Sequence, residues 1–168
     1  MTIQTRGKRR IAPFLLSWLM LFYAATAGIV WQPSAARAAE GSYLFDFGTE
    51  TSPVMAGWLQ VHNNMLYTPE RGYGLTSAAN ARNRSGGDDL TNDFVIPGAS
   101  NPYTFLADVP NGAYDVTVYA GDLLAGTSAT RTSVTIEGEP KGTIQSRQAV
   151  NSATYRAVVA DGDRKSVV

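Results

Sequence analysis

The chain has 168 residues, 44% apolar and 17% charged, with 14 basic and 14 acidic residues and no cysteine. A disulfide framework is therefore excluded, so an exported domain of this kind must rest on its core, a metal ion or a neighbouring domain. Residues 39–168 carry more acidic than basic residues, and a net acidic domain is a poor candidate for nucleic-acid binding, which needs basic surface for the phosphates.

The first forty residues read as a separate object. Arg6, Lys8, Arg9 and Arg10 form a basic cluster, Ile11 to Val30 is an apolar run, and Ala36-Arg37-Ala38 supplies the small residues that a signal peptidase reads. The pattern predicts an export signal over residues 1–38, cut after Ala38, and a secreted, extracellular domain over 39–168 with no membrane attachment once the signal is gone. The alternative is a retained anchor, since the apolar run is long enough to cross a bilayer. Beyond residue 38 the chain keeps 9 basic and 14 acidic residues, a net charge of −5. Its 130 residues suffice for one domain and not for two.

From Tyr43 onward, short apolar runs are punctuated by Gly, Pro, Asn and Asp. Tyr43 to Phe47 predicts the first strand and Trp58 to Val61 a second, with a loop over Gly48 to Gly57 between them. Tyr67 to Leu75 reads as irregular because Pro69, Gly72 and Gly74 interrupt it, and Asn80 to Asp93 reads as a polar, charged loop. Phe94 to Ile96 is a brief strand closed by Pro97-Gly98. Tyr103 to Val109 and Tyr114 to Ala120 alternate in polarity around Pro110-Asn111-Gly112, the signature of an antiparallel hairpin. Ser133 to Glu137, Gly142 to Ser146 and Thr154 to Ala160 complete the set. Asp161-Gly162 is a hairpin turn signal, yet only six residues come after it, and Asp163, Arg164 and Lys165 make a poor start for a core strand. The prediction is an all-β, antiparallel β-sandwich or jelly roll that lacks its last strand, with a slot or edge left open, in a chain that is a fragment of something larger.

Candidate binding residues concentrate between Tyr67 and Asp93. Tyr67, Tyr73 and Trp58 offer flat faces for sugar rings, although Trp58 sits in an apolar context that suits the core. Arg71, Arg82 and Arg84 are fork-shaped donors for hydroxyls or a carboxylate, and for Arg82 and Arg84 an internal ion pair with Asp88, Asp89 or Asp93 is the competing use. Asp88 and Asp89 add acceptors. The oxygen set Asp46, Asp88, Asp89, Asn92 and Asp93 has the ligand type that calcium takes, but no EF-hand spacing supports a structural calcium, and solvated or turn-capping carboxylates are the favoured reading. No HExxH, CxxC or P-loop is present, and adjacent Asp88 and Asp89 point apart too readily to serve as a glycosidase pair.

FDFG (Phe45 to Gly48), ERGYG (Glu70 to Gly74), the Arg-x-Arg of ARNRSGG (Arg82, Arg84), DDLTNDFV (Asp88 to Val95) and LADVPNGAYDVTVYAGD (Leu106 to Asp122), in that order, resemble the galactose-binding-like module at the N-terminus of secreted bacterial pectin-degrading enzymes. These are the rhamnogalacturonan acetylesterases of the SGNH (GDSL-type) hydrolases and some rhamnogalacturonan lyases, with malectin-like domains as a more distant likeness. The resemblance implies a β-sandwich that binds a pectic, rhamnogalacturonan-like cell-wall polysaccharide, joined to a C-terminal catalytic domain missing here. Two departures stand out: Arg82-Asn83-Arg84-Ser85-Gly86 where the family reads like RDRG, and no final strand or catalytic domain after the DG turn. An SGNH esterase also needs a Gly-Asp-Ser nucleophile and a later Asp-x-x-His. Here Gly121-Asp122 is followed by Leu123, and the single histidine, His62, has no such context. The expectation is therefore a non-catalytic binding or accessory module with no catalytic residue of its own.

Overall fold

A computed structural model of the chain describes residues 1–5, 41–98, 103–124, 128–160 and 165–167. The basic cluster, apolar run and cleavage site of the predicted export signal lie outside the described residues, as does the Asp161-Gly162 turn. Twelve strands are described: β1 (Thr2–Thr5), β2 (Ser42–Gly48), β3 (Leu59–His62), β4 (Tyr73–Leu75), β5 (Asn80–Asn83), β6 (Asp93–Ile96), β7 (Phe105–Ala107), β8 (Gly112–Asp122), β9 (Thr130–Ile136), β10 (Glu139–Ser146), β11 (Ala149–Val159) and β12 (Lys165–Val167). They form two five-stranded sheets, β11-β8-β1-β2-β3 and β10-β9-β12-β7-β4, plus the separate hairpin β5-β6. Pairing is antiparallel throughout except between β2 and β3. Among the described residues there is no helix. The fold is a β-sandwich.

Alternation explains where the core lies. On β8, Tyr114 and Val116 are buried and their neighbours Asp115 and Thr117 are not; on β9, Val134 and Ile136 repeat the pattern. Phe45, Val61, Leu75 and Phe105 complete the most deeply buried set. Three ring contacts tie the sheets together: Phe45 with Phe105 at 4.8 Å, Phe47 with Phe105 at 5.0 Å, and Phe45 with Tyr73 at 5.2 Å between centroids.

The structure corrects the hairpin predicted around Pro110-Asn111-Gly112. The preceding strand β7 pairs with β4 and β12 in one sheet, whereas β8 pairs with β1 and β11 in the other. The turn residues carry the chain from one sheet to the other across the core. The Tyr114 hydroxyl donates to the Pro110 carbonyl and pins the corner. A hairpin and such a corner share the same turn residues and the same alternation, so residue pattern alone does not separate them. The long antiparallel partner of β8 is instead β11, paired from Ala149↔Asp122 to Val159↔Gly112.

Three further expectations change. Lys165 does begin a strand: β12 pairs with β7 (Lys165↔Ala107 to Val167↔Phe105) and, at Val167, with Ile136 of β9, so the chain crosses to the second sheet rather than doubling back along β11. Tyr73 to Leu75, predicted irregular, forms β4. Gly74 permits this, because a Cβ there would stand 2.5 Å from the Tyr67 backbone nitrogen at a φ of +147°. Asn80 to Asn83, predicted as loop, forms β5 and pairs with β6. One strand has no counterpart in the sequence reading, since Thr2–Thr5 lies between β2 and β8.

Candidate functional site

A cleft of about 520 Å³ opens between the sheets. Phe45 and Phe47 of β2 and Phe105 of β7 form its apolar floor. The end of β8 (Val118 to Asp122) and the start of β9 (Thr130 to Thr132) form its walls, and the β5-β6 hairpin covers one side with Arg82, Arg84 and Phe94. The Tyr103 hydroxyl, whose titration burial pushes up to about 12, donates to the Val95 carbonyl at 3.1 Å and fastens that hairpin to the body. Tyr119 at the edge of the cleft is 40% exposed, on the outer face of β8, opposite that of Tyr114 and Val116.

The charged feature of the cleft is a forked pair. Arg84 Nε donates to Asp122 Oδ1 at 2.9 Å and Nη2 to Oδ2 at 2.8 Å, with the guanidinium 5.6 Å from the Phe94 ring centroid. The Leu124 amide adds a third donor to Asp122. The Arg84 hydrogen bonds hold the Asp122 carboxyl below the usual range. A depressed carboxyl stabilises the fold above its unfolded value and loses that contribution as pH falls through its folded value. Arg84→Ala is therefore expected to lower the melting temperature clearly at pH 7, where Asp122 is left ionised in the wall without its cation, and to lower it much less near pH 3. Equal losses at both pH values would show that the pair contributes packing rather than charge.

The structure divides the sequence-predicted residues into groups. Tyr67 donates its hydroxyl to Asp108 at 2.9 Å, Arg71 Nη1 donates to the Leu66 carbonyl at 2.6 Å, and the Arg71 guanidinium lies 5.9 Å from the Tyr73 ring. Tyr73 packs on Phe45. These three residues do not line the cleft; Arg82 and Arg84 do. Arg84 takes Asp122 as its partner rather than Asp88, Asp89 or Asp93. Asp88 closes its own turn, accepting from the Thr91 amide at 3.0 Å and hydroxyl at 2.6 Å, which lowers its carboxyl; Asp88 and Asp89 are exposed. Trp58 is half-buried. His62 Nδ1 accepts from the Asn64 amide at 3.3 Å. Among the described residues no three Asp, Glu, His or Cys side chains gather as a metal site.

Two features escape sequence reasoning. Asp122 enters it only as part of a failed nucleophile motif, and its spacing from Arg84 carries no local signal. Asp46 and Asp93, which the sequence places in a calcium-type oxygen set and favours as solvated or turn-capping carboxylates, are instead a buried acidic pair, 2% and 5% exposed. Asp46 Oδ2 accepts from the Met55 amide at 2.8 Å, Asp93 accepts from Ser52, and among the described residues neither Oδ1 has a partner. Burial, first of all, raises both carboxyls, Asp93 to about 6. Gly48 makes room for them, since a Cβ there would stand 2.0 Å from Asp93 Oδ2. The alternating apolar context of FDFG is the available hint.

The family model described as beta-agarase/YXIM esterase-like, galactose-binding domain-like matches residues 43–164. The chain belongs to that family. Among curated proteins it is similar to the uncharacterized esterase YxiM of Bacillus subtilis (strain 168), 29% identical over 136 residues that cover 78% of this chain and 32% of YxiM. The crystal structure of the Bacillus subtilis YxiM protein superposes with a TM-score of 0.57 at 27% identity, over 74% of this chain and 34% of the other. The chain thus spans about a third of the relative it matches.

Proposed function

We propose that this domain is a non-catalytic carbohydrate-binding module of an exported pectin-degrading enzyme of rhamnogalacturonan acetylesterase type, and that its ligand is a pectic polysaccharide. The observation that carries the reading is the cleft: about 520 Å³, floored by aromatic rings and rimmed by guanidinium groups. This lies within the usual range of ligand sites, roughly 300–1,000 Å³, and combines an apolar surface with a few oriented polar groups. The esterase named in the relative supports a catalytic domain as the neighbour of this module.

The roles divide by engagement. Arg84 shapes the wall through Asp122. Arg82 is exposed, with Nη1 on the Ala81 carbonyl, and is placed to meet a galacturonate carboxylate at the rim. The Phe94 ring, half-buried in the cleft wall, provides the stacking face. The commitment of Tyr73 and Arg84 to internal contacts favours one other reading, a domain that only supports its catalytic partner.

The test is affinity electrophoresis and calorimetry of the full chain with rhamnogalacturonan, with neutral galactan as comparison. Dissociation constants from micromolar to millimolar are expected, since a polar ligand buries little apolar area. Arg82→Ala should weaken binding about tenfold, ~1.4 kcal/mol, with little change in melting temperature. Absence of binding to every pectic polymer would leave the supporting-domain reading.

A further inference from the structure

One face of the β5-β6 hairpin carries a single kind of chemistry. Arg82 stands opposite Phe94 in the hairpin register, so both side chains leave the same face, while the neighbouring pair Ala81 and Val95 turns the other way and packs on the core. Arg84, two residues on, keeps to the face of Arg82 and Phe94, with its guanidinium 5.6 Å from the Phe94 ring centroid. Its amide donates to the Asn92 carbonyl at 2.6 Å and extends the pairing one step beyond β5. Two forked donors and one flat ring are thus brought to one wall of the cleft.

The donors are only partly used. Arg84 spends Nε and Nη2 on Asp122, and among the described residues its Nη1 has no partner. Arg82 spends Nη1 on the Ala81 carbonyl, and among the described residues its Nε and Nη2 have none. Asp122 is already satisfied by Arg84 and by the Leu124 amide. The Arg84 hydrogen bond does most to hold the Asp122 carboxyl down, and the charge of Arg82 adds to it, so the three groups lie within electrostatic reach of one another. Two guanidinium groups and one carboxylate leave this face with a surplus positive charge. Asp93 does not cancel it from the same face: it pairs with Asn83 in the register, on the side of Val95, and is buried against Ser52.

We propose that this face is a carboxylate subsite, a role that rests on the carbohydrate-binding reading: it takes the free carboxyl group of a galacturonate and rejects the methyl ester, with Arg82 and the unused Nη1 of Arg84 as donors and Phe94 against the sugar ring. A carboxylate offers two oxygens and a full charge to two forks. Esterification removes the charge, caps one oxygen with a methyl group and leaves the surplus positive charge without a counterpart. On a polymer whose galacturonates are methylated, capture therefore follows hydrolysis of that ester, which consumes water and releases methanol and a proton.

The experiment is calorimetry of the full chain with a galacturonate oligomer, with the same oligomer fully methyl-esterified, and with polyglutamate, a carboxylate polymer that has no sugar ring. At about 0.15 M salt the free oligomer should bind about tenfold more tightly than either of the others. Arg82→Gln, at an exposed position, should lose most of that preference and keep its melting temperature. Equal binding of acid and ester, with rhamnogalacturonan still bound, would overturn the carboxylate subsite and leave the carbohydrate-binding reading standing. Polyglutamate bound as tightly as the free oligomer, or an Arg82→Gln variant with the full preference, would overturn the subsite as well. Failure of rhamnogalacturonan and both oligomers to bind would overturn the two readings together.

Discussion

Phe45→Ala is expected to destabilise the domain by about 3–5 kcal/mol, enough to lower its melting temperature by roughly 10 °C or more. Phe45 is 2% exposed and its ring meets Tyr73 of β4 and Phe105 of β7, so one side chain joins the first sheet to the second. Its truncation removes apolar burial and leaves a void that a rigid pair of sheets fills poorly. The void would open beside the cleft, which Phe45 also lines, so the change should weaken any ligand as well. Phe47, half-buried and touching only the Phe105 ring among the described residues, should lose clearly less when replaced by alanine. Urea titration of both variants is the check. The slope against urea should stay near that of the wild type, because the unfolded chain exposes almost the same surface. Phe45→Ala and Phe47→Ala midpoints within error of each other would contradict this account of the core.

The short strands are legible because the sequence writes them in period two, and β2 and β8 lie close to where that pattern puts them, whereas β11 starts at Ala149, ahead of the predicted Thr154. What local pattern does not contain is which edge meets which. Pro110-Asn111-Gly112 turns the chain equally well within a sheet or between sheets, and only the pairing of β7 with β4 and β12 decides the matter. β4 and β5 are hidden for a different reason. Gly74 looks like a breaker until the close approach of Leu66–Tyr67 is known, and Asn80–Asn83 holds its pairing with β6 although three of its four residues are exposed. The site divides the same way. Arg82 and Arg84 stand out by residue type. Asp122 lies 38 residues from Arg84, and such a distance leaves no trace in composition. Tyr73 draws notice through its flanking glycines, of which Gly72 holds a φ of +73° and Gly74 admits the Leu66–Tyr67 backbone; its ring is packed on Phe45.

Asp93→Asn is expected to be more stable than the wild type at pH 7, by up to ~3 kcal/mol, with the advantage disappearing by about pH 4. The Asp93 carboxyl is raised from its ordinary value of 3.8 to about 6, chiefly by burial and in part by the charge of Asp46 nearby. A carboxyl whose folded value lies above its unfolded one binds its proton more tightly in the native state. Its contribution is therefore fully present below the unfolded value and is lost as pH rises through about 6. At neutral pH the fold holds an ionised group, one oxygen of which has no hydrogen-bond partner among the described residues. Asparagine keeps the shape and removes the charge, and it relieves Asp46, which burial raises in the same sense. The Met1 amine works the other way. Lowered to about 5, it makes acidification from pH 8 downward unfavourable, because the unfolded chain takes up that proton first. The wild-type profile alone would mix these opposing slopes. The difference between wild type and Asp93→Asn, measured by thermal denaturation at pH 4, 5, 6 and 7, cancels the amine and isolates the carboxyl. A variant less stable than the wild type at pH 7 would contradict this account of an uncompensated buried charge at Asp93.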